Sequence, residues 1–282
     1  MTWWQSIILG VVEGVTEFLP VSSTGHLTIT EKLMGMPIDD PGITAYTAII
    51  QIGAILAAVI YFWGDIWRIL TGWLGGLGNK SRRGSDYNMG WAVVVGTVIT
   101  ASVALVGKDL ITGALRSLWV VGIGLILWSF AMFAADRYSA KLAPSKQRTL
   151  DTITWKDGAL LGLIQCLSLV PGVSRSGATI VGGLFSGLDR LASTKLAFYL
   201  GIPTLVAAGV YEAATEFSHV SETIGWGVVV IGAVVSFFVA YASIAWLLKF
   251  VASNTFTGFV IYRILVGLAV LGLLAGNVIT AV

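Results

Sequence analysis

Two short polar stretches interrupt an otherwise apolar chain, and both carry residue types that can handle a phosphate group. The first reads TEFLPVSSTGH over residues 16–26, and the second reads PGVSRSGAT over residues 171–179. With Glu13, which lies just upstream, they combine carboxylates, hydroxyls, a histidine and an arginine. Because proline and glycine end a helix, each stretch is predicted to separate two helical pieces.

Glu13 and Glu17 are four residues apart, so they share one face of a helix. Each carboxylate costs roughly 2.5 to 3.5 kcal/mol at the centre of a membrane helix, and something must compensate it unless this helix lies at the water interface. A bound cation, a proton shared between the carboxylates or a nearby arginine would each do so. The sequence leaves these alternatives open and makes both glutamates candidate metal ligands.

A second short helix is predicted to begin near Thr24, directly after the first break. Its free N–H groups and the positive end of its dipole form an anion site, to which Ser22, Ser23 and Thr24 add hydroxyls. Ordinary capping accounts for one such hydroxyl residue but not for three. His26 lies on the same helix and can accept or donate a proton. This helix therefore offers candidate nucleophiles and an acid–base group.

The second break repeats this design with a cation. Arg175 lies in the middle of an apolar segment, and its planar guanidinium can bind two phosphate oxygens at once. Its neighbours could contribute hydroxyls or allow close approach of the backbone. They are Gly172, Ser174, Ser176, Gly177 and Thr179.

Two more polar residues interrupt apolar stretches. Arg263 could bind phosphate or a carboxylate, or could form only a structural ion pair, and Gln51 is equally open between site and packing. Taken together, the polar groups are those of phosphoryl transfer: a clamp for charge, a nucleophile and acid–base groups. A site inside a membrane implies a phosphate carried by a lipid.

The composition is that of a polytopic membrane protein. Of 282 residues, 56% are hydrophobic and only 11% are charged, whereas a soluble domain carries about 25% charged residues. The net charge of +2 predicts no nucleic-acid surface. The single cysteine, Cys166, excludes an intramolecular disulfide and a multi-cysteine metal site.

Six apolar stretches are long enough to cross a bilayer, which takes roughly 17 to 25 residues. They are 43–62, 90–107, 118–135, 196–215, 224–248 and 256–280. The broken segments, 3–34 and 158–188, are predicted to be re-entrant, because irregular backbone survives at membrane depth only inside protein or beside a polar cavity. We therefore expect an all-α membrane protein with one domain over 1–282.

The two broken segments resemble each other at an offset of 152 positions. The matched pairs are Gly10 with Gly162, Glu13 with Gln165, Ser22 with Ser174, Thr24 with Ser176 and Gly25 with Gly177. This similarity predicts two repeats, about 1–140 and 150–282, each a broken segment followed by three crossings. Because three is odd, the second repeat would be inverted, with the site at the interface between repeats.

Basic residues are distributed unequally between the two sides that these crossings define. Twelve lie on one side, three on the other, and Arg175 and Arg263 fall inside membrane segments. The three are Lys32, Lys108 and Arg116. Since cytoplasmic loops are enriched in lysine and arginine, the side with twelve is predicted to be cytoplasmic. The mouth of the first broken segment, near residues 39–40, is then expected outside the cytoplasm.

The motifs EGVTEFLPVSSTGH (13–26) and PGVSRSGAT (171–179) resemble the two signatures of the bacitracin-resistance type undecaprenyl-pyrophosphate phosphatases. The resemblance extends over nearly the whole chain, including QIGAILA (51–57) and YRIL (262–265). It implies a plasma-membrane enzyme of bacterial cell-wall synthesis that removes the terminal phosphate of C55-isoprenyl pyrophosphate. Inverted repeats and dependence on a divalent cation, Mg²⁺ or Ca²⁺, are also implied, and a homodimer is left open.

The resemblance also implies roles for individual residues. Glu13 and Glu17 match the acidic motif, Ser23 and His26 match the catalytic serine and histidine, and Arg175 matches the phosphate-binding arginine. The nucleophile stays open between Ser23, His26 and water. The rival function is a polyprenyl-phosphate flippase, because transporters commonly use inverted repeats with broken helices. Transport has no need of the Ser–His pair.

Overall fold

A computed structural model describes residues 1–37, 40–107, 115, 117–223 and 225–281, without the side chains of 41 and 212–223. These ranges contain eleven α-helices joined by turns and short 3₁₀ segments. In chain order they are α1 Trp3–Thr16, α2 Ser23–Leu33, α3 Pro41–Tyr61, α4 Trp63–Gly78, α5 Ser85–Val106, α6 Leu118–Lys141, α7 Trp155–Gln165, α8 Arg175–Phe185, α9 Arg190–Thr223, α10 Trp226–Val251 and α11 Thr257–Ala275.

The six predicted crossings are confirmed as helices long and apolar enough to span a membrane. They are Gly42–Tyr61, Ser85–Val106, Leu118–Lys141, Arg190–Tyr211, Trp226–Val251 and Thr257–Ala275. The chain is therefore an all-α, multi-pass membrane protein. Lys108, Arg116 and Asp39, which entered the prediction of orientation, lie outside the described residues.

The segment between the first two predicted crossings contains a further helix, α4. This helix has 16 residues, too few for a crossing, and for that reason a search for bilayer-length segments passes over it. Trp63, Trp67 and Leu74 recur at helical spacing and are exposed, whereas Ile69 is buried. Because α4 packs on α5 with its apolar stripe uncovered, it has the pattern of a helix lying in a membrane interface.

Both broken segments are confirmed as pairs of short helices. The first changes direction between α1 and α2, where Ser22 has φ 78°. The second passes through a 3₁₀ turn, Cys166–Leu169, and changes direction between α7 and α8, where Ser174 has φ 79°. The new helices begin at Ser23 and Arg175, within one residue of the predicted start in the first segment.

Glycines let the first half of each broken segment approach a spanning helix closely. α1 packs on α10, and a Cβ on Gly10 would come within 2.6 Å of the Gly232 carbonyl oxygen. α7 packs on α5, and a Cβ on Gly162 would come within 2.7 Å of the Gly96 Cα. Small residues commonly support such backbone contacts between membrane helices. They fix the helices that lead into the two breaks.

An ion pair anchors the start of the second broken segment. Arg148 contacts both carboxylate oxygens of Asp157, at 2.8 Å and 3.0 Å, and Asp157 also accepts from the N–H and hydroxyl of Thr154 at the start of α7. Burial by itself raises the pKa of Asp157, but these hydrogen bonds outweigh it and hold the pKa below the ordinary value.

Candidate active site

The two breaks touch each other inside the helix bundle. Ser22 Oγ accepts a hydrogen bond from the Gly172 N–H at 3.2 Å, and Ser176 Oγ donates to the Leu19 carbonyl at 3.2 Å. Each contact joins residues about 150 positions apart in the chain. The polar residues of both breaks therefore belong to one site, with α2 and α8 beginning next to each other.

Arg263 on α11 donates hydrogen bonds to the backbone of both breaks. Its side chain is fully buried, and its guanidinium donates five hydrogen bonds, four to backbone carbonyls and one to a hydroxyl. The acceptors are Pro20 O, Leu125 O, Ser129 Oγ, Gly172 O and Val173 O. These bonds direct the guanidinium to the backbone of the breaks, and a contact of Arg263 with phosphate stays a prediction.

Glu17 and Ser23 form the shortest polar contact of the site. Ser23 Oγ donates to Glu17 Oε2 at 2.5 Å, a length typical of a hydroxyl bound to a carboxylate. Glu17 follows the end of α1 and Ser23 opens α2, so the break itself brings them together. The carboxylate, which is 7% exposed, is positioned to take the proton of the serine.

Arg175 approaches the same carboxylate from the second break. Its Nη1 lies 3.7 Å from Glu17 Oε1, and the side chain is 31% exposed. This Nη1 is buried and finds no hydrogen-bond partner within the part of the chain that the structure describes. A guanidinium N–H in this condition is suited to an anionic ligand.

The serines beside Arg175 support the backbone. Ser174 Oγ accepts from the Gly177 N–H at 3.2 Å and lies 3.1 Å from Ser176 Oγ. A Cβ on Gly177 would come within 3.3 Å of Ser174 Oγ, so glycine keeps this cap compact. The two hydroxyls that were predicted to bind phosphate are thus engaged in starting α8 and in joining the breaks.

Glu13 lies one turn before Glu17 and is only 1% exposed. The described residues contain no group of three or more histidine, cysteine or acidic side chains that could hold a metal ion.

His26 contacts neither Glu17 nor Ser23 through a hydrogen bond in the described structure. Its Nδ1 lies 2.8 Å from the Ser22 carbonyl oxygen, and its Nε2 lies 2.8 Å from the hydroxyl of Tyr262. Sequence reasoning missed Tyr262 as a site residue. The only signal was its position beside Arg263 in the YRIL stretch.

Three predicted binding residues remain outside the hydrogen-bonded cluster. Thr24 is exposed on α2, and its side chain makes no hydrogen bond within the described ranges. Thr179 is buried and donates to Gln165 Oε1 at 3.1 Å, behind α8. Gln51 is half-buried on α3, and no hydrogen bond links it to the site residues that are described. Nothing in this geometry supports a phosphate contact for Thr179 or Gln51.

Similar proteins identify the family of this chain. The model of the family described as bacitracin resistance protein BacA matches residues 6–269. The chain belongs to this family. It is 52% identical to the undecaprenyl-diphosphatase of Cutibacterium acnes over the full length of both chains. It is 48% identical to undecaprenyl-diphosphatase 3 of Frankia casuarinae and 49% identical to undecaprenyl-diphosphatase 1 of Streptomyces avermitilis, each over 98% of both chains.

Proposed function

We propose that this chain is an undecaprenyl-diphosphatase, which hydrolyses C55-isoprenyl pyrophosphate to the monophosphate lipid carrier and inorganic phosphate for peptidoglycan synthesis. Relatives of matching length that carry this name support the substrate. The observation that carries the chemistry is the 2.5 Å hydrogen bond from Ser23 to Glu17 beside the guanidinium of Arg175. It joins a nucleophile, a base and an anion-binding group in one place.

The first step transfers the terminal phosphate to the enzyme. Arg175 and the N–H groups at the start of α2 and α8 bind the pyrophosphate. Ser23 Oγ attacks the distal phosphorus while Glu17 accepts the serine proton. The bond from that phosphorus to the bridging oxygen breaks, and this oxygen leaves as part of the lipid monophosphate. The product on the protein is phosphoserine at position 23.

The second step releases inorganic phosphate. Water attacks the phosphorus of phosphoserine, and a proton passes to Nε2 of His26. The bond from phosphorus to Ser23 Oγ breaks, and Ser23 recovers its proton from Glu17. His26 then loses its extra proton to the departing phosphate or to water, which returns the site to its starting state.

We also propose that Glu13 and Glu17 hold a divalent cation, Mg²⁺ or Ca²⁺, when the substrate is present. Two carboxylates completed by phosphate oxygens are a common way to bind Mg²⁺, and this donor set fits the absence of a larger ligand cluster among the described residues. The cation would offset the charge of the pyrophosphate. Arg175 already supplies a positive charge 3.7 Å from Glu17.

The proposed orientation places the site nearer the outer face of the plasma (inner) membrane, within two inverted repeats of about 1–140 and 150–282. Reciprocal packing supports the repeats, because α1 lies on α10 of the other half and α7 lies on α5. The positive-inside rule supports the orientation. The first broken segment, with Ser23 and His26, then enters from outside the cytoplasm.

Cysteine labelling tests this orientation. With Cys166 replaced by serine, Asp40→Cys should react with a membrane-impermeant thiol reagent in intact cells, and Arg82→Cys should react only after the membrane is opened. The reverse pattern would contradict the proposed side of the site without affecting the chemistry.

Timed release of inorganic phosphate by the pure protein in detergent tests the activity. Wild-type protein should release phosphate from C55-isoprenyl pyrophosphate in many turnovers, whereas Ser23→Ala should form no phosphoserine and lose most turnover. Lipid movement between leaflets without phosphate release would support the flippase instead. Full activity of Ser23→Ala would move the nucleophile to His26 or to water.

A further inference from the structure

Tyr262 contacts the one ring nitrogen of His26 that has no hydrogen bond within the first broken segment. Its hydroxyl lies 2.8 Å from His26 Nε2, and the two rings are nearly parallel, with centroids 5.5 Å apart and planes at 12°. Tyr262 lies on α11, 236 positions away from His26, so only the fold brings them together. The mechanism above uses His26 but gives Tyr262 no part.

The other nitrogen fixes the hydrogen positions on the imidazole. A backbone carbonyl can only accept, so the 2.8 Å contact with the Ser22 carbonyl requires a hydrogen on His26 Nδ1. In the neutral ring Nε2 then carries a lone pair, and the Tyr262 hydroxyl donates to it. All proton exchange by His26 must therefore occur at Nε2, where Tyr262 stands.

The position of Tyr262 is tightly coupled to the breaks. The next residue, Arg263, is fully buried and donates to Pro20 O at 2.9 Å and to Gly172 O at 2.8 Å. Successive residues on a helix point in directions about 100° apart, so Arg263 is directed at the backbone of the breaks while Tyr262 faces His26. Tyr262 is 43% exposed, so the described protein leaves its outer side uncovered.

We propose that Tyr262 is a catalytic residue that relays the proton between the attacking water and His26. As the water oxygen bonds to the phosphorus of phosphoserine, its proton passes to the Tyr262 oxygen and the Tyr262 hydroxyl proton passes to His26 Nε2. The phenol is neutral before and after, His26 gains one proton, and the bond from phosphorus to Ser23 Oγ breaks. This inference rests on the proposed function, because it assigns a residue to its second step.

The variant that tests the relay is Tyr262→Phe, which keeps the ring and removes the hydroxyl. Since general acid–base catalysis contributes about 100-fold or more, we expect kcat to fall by about 100-fold. The lipid monophosphate should still appear in a first-turnover burst, while phosphoserine accumulates at Ser23, because only the second step uses the relay. Tyr241→Phe is the matched control: Tyr241 is 42% exposed on another spanning helix, and its removal should leave turnover unchanged.

A double-mutant cycle with His26→Ala shows whether the two residues act together. We expect Tyr262→Phe to cause no further loss in the His26→Ala background. Wild-type turnover of Tyr262→Phe would mean that water or substrate displaces the hydroxyl, and the relay would be wrong. Independent, multiplying losses would also overturn it, since Tyr262 would then act without His26.

The proposed function can fail separately from the relay. If Tyr262→Phe and His26→Ala both lose turnover without accumulating phosphoserine, the covalent step at Ser23 is contradicted. The coupling between the two variants still decides whether Tyr262 works through His26. Thermal unfolding of each variant in detergent identifies losses that come from misfolding.

Discussion

The two breaks use the same backbone device for different purposes. In each, a serine with φ near +79° turns the chain and starts a short helix, although this region is rarely occupied by residues other than glycine. Ser22 Oγ accepts from the opposite break, whereas Ser174 Oγ accepts from Gly177 of its own helix. The first serine joins the two halves, and the second caps a helix.

The two breaks also differ in the residue types that they carry at corresponding positions. At the offset of 152 positions, Ser23 corresponds to Arg175 and His26 corresponds to Ala178. Glu13 corresponds to Gln165, whose amide bonds Thr179 and Thr100 inside the bundle. In the proposed mechanism the first break therefore holds acid, base and nucleophile, while the second supplies a cation. The two proposed repeats would thus serve one site whose two sides carry opposite charge.

Removal of the Glu17 carboxylate should cause the largest loss. Glu17→Gln cannot take the proton of Ser23, so we expect phosphate release to fall at least 100-fold, within the range for general bases. The matched variant in the second break is Leu169→Gln at the corresponding position, which should retain most activity. Equal losses in both would mean that the breaks are more alike in function than in residue type.

Activity should be nearly as sensitive to the shape of the cationic side chain in the second break. Arg175→Lys keeps the charge but loses the planar fork, and we expect kcat/KM to fall roughly 10- to 100-fold, in line with the loss of a charge-assisted contact. Arg68→Lys, a change on the exposed α4, is the control. Lysine as good as arginine at position 175 would show that only charge is needed.

Substitution of the two positive-φ serines compares their hydrogen bonds directly. Both glycine and alanine lose the hydroxyl that accepts a hydrogen bond, at about 1 kcal/mol. Glycine should be better tolerated than alanine at both positions, because only glycine relieves the backbone strain of the positive φ. Ser22→Ala should also reduce turnover several-fold more than Ser174→Ala, since only Ser22 bonds to the opposite break. Unfolding temperatures and phosphate release in detergent measure the two effects, and indistinguishable turnover would contradict this difference.

The smallest effect concerns the ion pair that anchors only the second broken segment. Burial raises the pKa of Asp157, but the hydrogen bonds from Arg148 and Thr154 outweigh burial and leave this pKa below its ordinary value of 3.8. Its stabilising contribution should therefore be complete above pH 3.8 and be lost as pH falls through the lowered pKa. Asp157→Asn should unfold at a lower temperature at neutral pH and lose less on acidification. Asp151→Asn, at an exposed residue, should behave as wild type.

The length of the apolar stretches and the residue types that interrupt them were enough to predict the six crossings and both breaks. They could not predict α4, whose apolar residues recur every three or four positions over only 16 residues. They could not predict the contacts of Arg263, because the carbonyls it meets belong to Pro20, Leu125 and Gly172, far away in the chain. The contact of Tyr262 with His26 could not be predicted for the same reason, since the two residues are 236 positions apart. The roles of Glu13, Glu17, Ser23, His26 and Arg175 remain predictions, now with contacts that explain four of them.

The hydrogen bonds of Arg263 have a mechanical consequence. A carrier that exposes its cargo alternately to two sides must move one half of its bundle past the other in every cycle. Here a buried guanidinium on α11 bonds Pro20 O in the first half and Gly172 O in the second half at once. Sliding the halves apart would break the bond to Pro20 O and leave part of the buried guanidinium unsatisfied, which costs about 1 to 3 kcal/mol. The bonds of Arg263 therefore favour a fixed arrangement of the two breaks over the alternating motion of a carrier.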